Sequence, residues 1–131
     1  MIPTDTMPLE EEIVRNYIEA YNNFDVDNMV ANFDENVVFE NVENNETNMS
    51  LKGIAAFKEQ AEQAKTYFKT REQRIKSIKH TAQEVEIEID YHAVLAINLP
   101  NGLKAGEALN LSGRSVFLFE SGKVIKLTDI S

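Results

Sequence analysis

Apolar positions near the start of the chain recur at the three- and four-residue steps of an amphipathic helix. Over residues 9–24 the predicted inward stripe consists of Leu9, Ile13, Tyr17, Ala20, Tyr21 and Phe24. Pro8 suits the first turn of such a helix, and Asn22-Asn23 ends it. Asp25 can then cap a short second helix, whose inward positions would be Val26, Met29, Val30 and Phe33.

The pattern then changes to that of strands, with one more helix between them. A β-branched and aromatic run, VVFENV (residues 37–42), predicts a strand, and ENNETNMS predicts a loop or a hairpin turn. A third helix follows Gly53. Its predicted apolar stripe is Ile54, Phe57, Ala61, Ala64 and Phe68.

The second half of the chain is rich in strands. RIKSIKH is a weak strand, and VEIEIDYHAVL alternates, with Val85, Ile87, Ile89 and Tyr91 on one face. NLPNGLKAGE connects it to a long strand, ALNLSGRSVFLFE, and Ser121-Gly122 turns into the last strand, KVIKLTDIS. The predicted order is ααβ(β)αββββ, with an antiparallel late sheet. Helices segregated from such a sheet indicate an α+β domain spanning residues 1–131.

Composition and charge narrow the classes of function. The chain has 131 residues, no cysteine and a formal charge of −9, so disulfides and thiolate chemistry are excluded and polyanions are disfavoured as partners. The densest basic stretch, residues 65–80, is interpreted as solvated surface, which argues against nucleic-acid binding. No apolar run reaches the length of a membrane span, and MIPTDTMPLEEE shows no signal peptide. We therefore expect a cytoplasmic protein that binds no membrane.

Three stretches together resemble the nuclear transport factor 2-like superfamily, particularly its SnoaL-like and ketosteroid-isomerase-like branch. They are IVRNYIEAYNNFDVDNMVANFDENVVFEN, LKGIAAF and SGRSVFLFESGKVIKLTDI. The resemblance covers about residues 10–130. It implies a cone-shaped, curved antiparallel sheet with a mixed edge, wrapped around three helices and enclosing an apolar pocket. Family members include enzymes, binding proteins and interaction modules, so the fold alone does not give the function.

The resemblance implies roles for two polar side chains of the front half. Tyr17 falls where ketosteroid isomerases carry the tyrosine that donates a hydrogen bond to the substrate oxyanion; the alternative is a core tyrosine bonded to a backbone carbonyl. Asn41 falls where those enzymes have their proton-shuttling aspartate. An amide cannot abstract a proton, so a true ketosteroid isomerase is not expected.

Asp129 is the remaining candidate for acid–base chemistry. Strand alternation places it on the side of Ile125 and Leu127, the apolar side. The resemblance implies that it is the acid/base of SnoaL-like cyclases, with a pKa raised by burial. The alternatives are a solvated carboxylate at the chain end, or an ion pair with Arg114 if a β-bulge turns that residue inward.

Three hypotheses remain open: a cofactor-free isomerase, cyclase or dehydratase acting on a carbonyl compound, a carrier of a small apolar molecule, and a dimeric interaction module. His80 and His92 are expected at the surface, and no metal site or cofactor is indicated. A homodimer would form through the outer sheet face, at Val94, Ala96, Val116 and Leu118. Besides Tyr17 and Asp129, the predicted pocket contains Tyr21, Phe33, Phe39, Asn41, Phe57, Tyr91, Ser115, Phe117 and Leu127.

Overall fold

The computed structural model describes residues 8–131. These residues form, in order, α1 (Leu9–Asn22), α2 (Val26–Met29), β1 (Phe33–Glu43), β2 (Glu46–Lys52), α3 (Ile54–Lys65), β3 (Phe68–His80), β4 (Glu84–Leu95), β5 (Ala108–Glu120) and β6 (Lys123–Ile130). The predicted element order and the α+β class are confirmed. The extent of the domain over residues 1–131 stays a prediction, and the expectation about a signal peptide falls largely on residues 1–7, outside the described range.

The six strands form one mixed sheet with the order β2-β1-β6-β5-β4-β3. After the β1–β2 hairpin the chain passes through α3 to the far edge of the sheet. It then returns strand by strand until β6 lies beside β1. All pairs are antiparallel except β1 with β6. The last strand is therefore an interior strand, paired on both sides, although it lies at the end of the chain.

The helices present their apolar faces to this sheet. In α1 the acidic residues of the first turn suit the positive end of the helix dipole, and the buried face is Ile13, Val14, Tyr17, Ile18 and Ala20. Asp25 caps α2 by accepting a hydrogen bond of 3.2 Å from the N–H of Asn28. Two positions of the predicted stripe are corrected. Leu9 is 59% exposed at the first turn, and Phe24 lies beyond the end of α1 with φ +58°.

The inner face of the sheet supplies the other half of the core. Alternate residues on β4 and β5, and two residues of β6, are almost completely inaccessible; the patterns of β4 and β5 predict this directly. They are Val85, Ile87, Phe117, Phe119, Val124 and Leu127. Burial of each large side chain stabilises the fold by about 1.5–3 kcal/mol. The core thus lies between α1 and the middle of the sheet.

The starts of β1 and β3 differ from the predicted boundaries because a single apolar residue between a helix and a strand fits either element. Phe33 was predicted on the second helix and Phe68 on the third, yet each is the first residue of the following strand. The weak strand RIKSIKH is the end of a 13-residue strand, β3. On β6 the pairing with β5 skips Ile125, so Val124 rather than Ile125 shares the inward side with Leu127.

The outer face of the sheet is mixed in character. Val116 lies beside Glu86 and Leu118 beside Lys126 and Glu84, while Ala96 follows β4 and is not part of a strand. The apolar patch expected there is therefore smaller than predicted, and a homodimer through this face stays a prediction. No helix within residues 8–131 is long and apolar enough to cross a membrane.

Candidate functional site

A cavity of about 220 Å³ lies between the helices and the inner face of the sheet. Its wall is mostly aromatic, aliphatic and methionine side chains, with a few polar groups among them. The lining residues are Tyr17, Tyr21, Met29, Phe39, Asn41, Met49, Phe57, Gln60, Ala61, Ala64, Arg71 and Asp129. This combination of apolar walls and a few convergent polar groups is typical of small-molecule sites.

Asp129 lies on β6 between two polar neighbours on the adjacent strands. It is in register with Asn41 of β1 and with Ser115 of β5. The hydroxyl of Ser115, which is only 4% exposed, donates a hydrogen bond of 2.6 Å to Oδ1 of Asp129. The carboxyl is half-buried and lines the cavity. It is therefore held by the sheet, and it is not a frayed chain end.

The surroundings of Asp129 change its acidity. Burial raises the pKa of the carboxyl to about 6, and the hydrogen bond from Ser115 lowers the pKa by a smaller amount. A carboxyl with this pKa has about a tenth of its population protonated at pH 7. Both the acid and the base form are thus accessible near neutral pH, as general acid–base catalysis requires.

Tyr17 brings a phenol to the same cavity. Its ring stacks on Phe33 with 5.7 Å between the ring centroids and meets the edge of Phe117 at 5.4 Å. No hydrogen bond joins its hydroxyl to another residue in the described part of the chain. Burial and then the negative charge of Asp129 raise the pKa of Tyr17 well above its usual value. The hydroxyl therefore stays protonated and can donate to a bound oxygen atom.

A second cavity, of about 170 Å³, adjoins the first and shares Tyr21, Asn41 and Asp129 with it. Here the hydroxyls of Tyr21 and Tyr91 form a hydrogen bond of 2.8 Å. Ser115 also lines this cavity. Asp129 therefore stands where the two cavities meet and can be reached from either.

The sequence pattern of the SnoaL-like domain family matches residues 14–127 of this chain. The chain belongs to the SnoaL-like domain family. None of the curated proteins matches it. The resemblance predicted from the sequence is thus confirmed at the level of the family.

Solved structures show the same fold as this SnoaL-like domain. A proposed polyketide cyclase from Xanthomonas campestris has a TM-score of 0.81 at 21% identity, with 94% of this chain and 90% of that chain covered. A proposed SnoaL-like polyketide cyclase from Jannaschia sp. has a TM-score of 0.81 at 12% identity, with 97% of this chain and 90% of that chain covered. An uncharacterised cystatin-fold protein from Novosphingobium aromaticivorans has a TM-score of 0.73 at 18% identity, with 96% of this chain and 100% of that chain covered. The cystatin-like, nuclear transport factor 2-like fold is confirmed.

Most of the predicted pocket residues of this SnoaL-like domain lie at one of the two cavities. Phe39 and Phe57 face the first, with their ring centroids 5.4 Å apart, and Tyr91 lines the second. Asn41 lines both, and its amide donates to Oδ1 of Asn48 at 2.8 Å. Their roles in binding stay predictions.

Three predicted pocket residues need correction. Phe33, Phe117 and Leu127 are at most 4% exposed and line neither cavity. They pack behind the wall, where Phe33 and Phe117 support the ring of Tyr17. Inward-facing alternation identified them as core residues but could not separate the cavity wall from the layer behind it.

Arg114 and the two histidines do not pair with Asp129. Arg114 is among the residues that line the second cavity, but its guanidinium lies 3.6 Å from Glu86, and the β4–β5 register has no bulge that would turn it toward Asp129. His80 contacts Glu11 at 3.2 Å, and His92 is exposed. Residues 8–131 contain no group of three or more potential metal-binding side chains.

Arg71 is the residue that sequence reasoning missed. It was assigned to a solvated basic stretch, yet it is 6% exposed and lines the first cavity. Its Nε donates to the carbonyl oxygen of Tyr21 at 3.0 Å. A signal did exist, because Arg71 and Gln73 alternate in phase with Ile75, and these positions pair with Ala93, Tyr91 and Ile89 on the inward side of β4.

Proposed function

We propose that this SnoaL-like domain is a cofactor-free enzyme that transfers a proton on a small apolar carbonyl compound. Asp129 is the general acid/base, and Tyr17 donates a hydrogen bond to the carbonyl oxygen. The proposal rests on the position of the Asp129 carboxyl, which lines a mostly apolar cavity together with Tyr17. Burial raises the pKa of this carboxyl to about 6, and the hydroxyl of Tyr17 stays protonated.

The reaction would begin with the ionised form of Asp129. Its carboxylate removes a proton from the carbon next to the carbonyl group, and an enolate forms. The hydroxyl of Tyr17 stabilises the negative oxygen by donating a hydrogen bond from a mostly apolar wall. In an isomerase, Asp129 returns the proton to a different carbon. In a cyclase, the enolate carbon bonds to a second carbonyl carbon of the same molecule, and Asp129 protonates the alkoxide that results.

The remaining groups of the cavity fit such a substrate. Phe39 and Phe57 offer apolar walls, while Asn41, Ser115 and the Tyr21–Tyr91 pair offer hydrogen bonds that orient oxygen atoms. The volume of about 220 Å³ is below the range of about 300–1,000 Å³ for drug-sized pockets, so the substrate is small or reaches into the second cavity. The names of two structural relatives, as proposed polyketide cyclases, favour the cyclase form of the reaction.

Hydrogen–deuterium exchange tests the proton transfer without knowledge of the natural substrate. The probes are small ketones with acidic α-protons, such as 2-acetylcyclohexanone and α-tetralone, followed by NMR in deuterated water. We expect the protein to accelerate exchange, with a rate that rises through pH 6 as Asp129 ionises. Asp129→Asn should lower the rate by about 10²–10⁴-fold, the usual contribution of a general base.

Two control variants, Asp90→Asn and Tyr67→Phe, distinguish loss of the site from general effects of a substitution on the protein. Asp90→Asn changes an exposed aspartate of β4 that contacts Lys76 at 3.7 Å, and it should exchange like the unmodified protein. Tyr17→Phe should slow exchange by about 10²–10³-fold, whereas Tyr67→Phe, outside both cavities, should not. Full exchange activity in Asp129→Asn would refute the proposal, and tight binding of the ketones without exchange would identify a carrier.

A further inference from the structure

The buried guanidinium of Arg71 is the one charged group of the cavity that the proposed proton transfer does not use. Its Nε is satisfied by the carbonyl oxygen of Tyr21, but its Nη2 is buried and has no hydrogen-bond partner among the described residues. No carboxylate of residues 8–131 forms an ion pair with it. A buried cation without a counter-charge is costly, so this arrangement needs an explanation.

Packing against aromatic rings accounts for only part of the environment of Arg71. The guanidinium carbon lies 3.7 Å from the ring centroid of Tyr21 and 4.5 Å from that of Phe24. These contacts hold the planar group in place and supply some stabilisation. They leave the Nη2 group, which can donate hydrogen bonds in the plane of the guanidinium, without an acceptor.

Asp129 does not supply the missing acceptor. It lies on β6, three strands from β3 in the sheet order, although both residues line the same cavity. Among residues 8–131, Arg71 donates to the carbonyl oxygen of Tyr21 and Asp129 accepts from Ser115, and no ion pair joins the two side chains. The positive charge of Arg71 is thus available for a ligand.

We infer that the cavity binds a ligand with two ends, a carbonyl end that reaches Asp129 and Tyr17 and a carboxylate that pairs with Arg71. This inference rests on the proposed function and narrows its substrate class to small apolar carbonyl compounds that bear a carboxylate. The aromatic rings beside Arg71 fix the guanidinium before the ligand arrives, which reduces the entropy lost on binding. Arg71 is a binding residue in this scheme and takes no part in the proton transfer.

A matched pair of probes tests the carboxylate site separately from catalysis. 2-Naphthoate and 2-naphthamide have nearly the same shape and differ in charge, and neither has an α-proton to exchange. We expect calorimetric titration at pH 8 to show at least about a tenfold preference for the carboxylate, the lower end of what a charge-assisted hydrogen bond contributes. Arg71→Met should bind both probes with similar affinity.

The control is Arg74→Met. Arg74 is an exposed arginine on β3, the strand of Arg71, and it contacts Glu72 at 2.9 Å. This variant should keep the preference for the carboxylate. If Arg71 is purely structural, Arg71→Met will weaken both probes equally and leave their ratio unchanged, which overturns the inference. The same conclusion follows if the unmodified protein shows no preference or binds neither probe at millimolar concentration.

A measurement on the unmodified protein covers the case in which Arg71→Met does not fold. The side-chain ¹H–¹⁵N resonances of Arg71 should shift on addition of 2-naphthoate and stay in place with 2-naphthamide. Equal shifts with both probes, or none, overturn the inference. If this carboxylate test fails, the proposed proton transfer by Asp129 is not affected, because ketone exchange measures it separately. If the protein prefers the carboxylate but does not exchange the ketones, the proton transfer alone is refuted.

Discussion

Replacement of the Asp129 carboxyl by an amide should stabilise the protein at alkaline pH and have little effect at acidic pH. Burial raises the pKa of this group from its ordinary 3.8 to about 6 in the folded state. Between these two values the folded protein binds more protons than the unfolded chain, so the free energy of unfolding falls as the pH rises through this window. Asp129→Asn keeps the shape of the side chain and removes the titration.

The magnitude follows from the size of the pKa change. At about 1.36 kcal/mol per pH unit, a rise from 3.8 to about 6 makes the ionised carboxylate about 3 kcal/mol unfavourable at pH 8. The same relation gives a cost of only about 0.5 kcal/mol at pH 4. The carboxyl is half-buried and faces a cavity that water can enter, so about 3 kcal/mol is an upper value.

Urea denaturation at pH 4 and pH 8 measures this difference. The chain has no tryptophan, so unfolding is best followed by far-UV circular dichroism. With a slope of about 2 kcal/mol per molar urea, the midpoint of Asp129→Asn should exceed that of the unmodified protein by up to about 1.5 M at pH 8. At pH 4 the two midpoints should nearly coincide.

The control variant is again Asp90→Asn, whose side chain is exposed on β4. It should change the free energy of unfolding by less than about 0.5 kcal/mol at both pH values. If Asp129→Asn shows the same difference from the unmodified protein at pH 4 and pH 8, the carboxyl is not desolvated in the folded state. The assignment of Asp129 as an acid/base near neutral pH would then lose its physical basis.

Three further variants test the supports of the site. Ser115→Ala removes the hydrogen bond that favours the ionised carboxyl, so the pKa of Asp129 should rise further, as carboxyl ¹³C NMR would show. Gly113→Ala would place a Cβ 2.9 Å from the backbone oxygen of Ile130, so it should force β5 and β6 apart and lower stability by about 1–3 kcal/mol in urea denaturation. Phe117→Ala removes a completely buried ring behind the cavity wall and should cost about 3–5 kcal/mol by the same assay.

Neighbouring exposed residues of β5 serve as controls for these variants. Ser112→Ala and Leu111→Ala change side chains at the surface and should alter stability by less than about 0.5 kcal/mol. An unchanged pKa of Asp129 in Ser115→Ala would mean that the 2.6 Å contact does not persist in solution. Stability of Gly113→Ala equal to that of Ser112→Ala would contradict the close packing of β5 against β6.

The order of elements was predictable because each strand of the late sheet has one apolar face. Alternation in β4 and β5 gives the inward side directly, and the same rule placed Asp129 inward on β6. The rule failed at Ile125, since a bulge inserts one residue without a trace in the polarity pattern. It also failed at Phe33 and Phe68, because an apolar residue at a helix–strand boundary fits either element.

The candidate site was only half predictable. Alternation places Asp129 and Ser115 on the inward faces of β6 and β5, but their pairing in register depends on the bulge at Ile125, which the pattern does not show. Arg71 was missed because charged residues are expected in water. Its alternation with Ile75 was a weak sign of an inward position, but the Tyr21 carbonyl and ring that hold the guanidinium lie 50 residues away in the sequence, and no local pattern shows that contact.

The raised pKa of Asp129 agrees with the absence of an ion pair between Asp129 and Arg71. If the two groups formed an ion pair, the positive charge would hold the pKa of the carboxyl below its usual value, and the carboxyl would be a poor acid at neutral pH. The fold instead places them on strands that are three apart in the sheet, and both line one cavity without forming an ion pair. The carboxyl keeps a pKa of about 6, which the proposed proton transfer requires, and the guanidinium keeps an Nη2 without a partner among the described residues, which the proposed carboxylate site requires. Any substitution that let Arg71 reach Asp129 would therefore remove both properties at once.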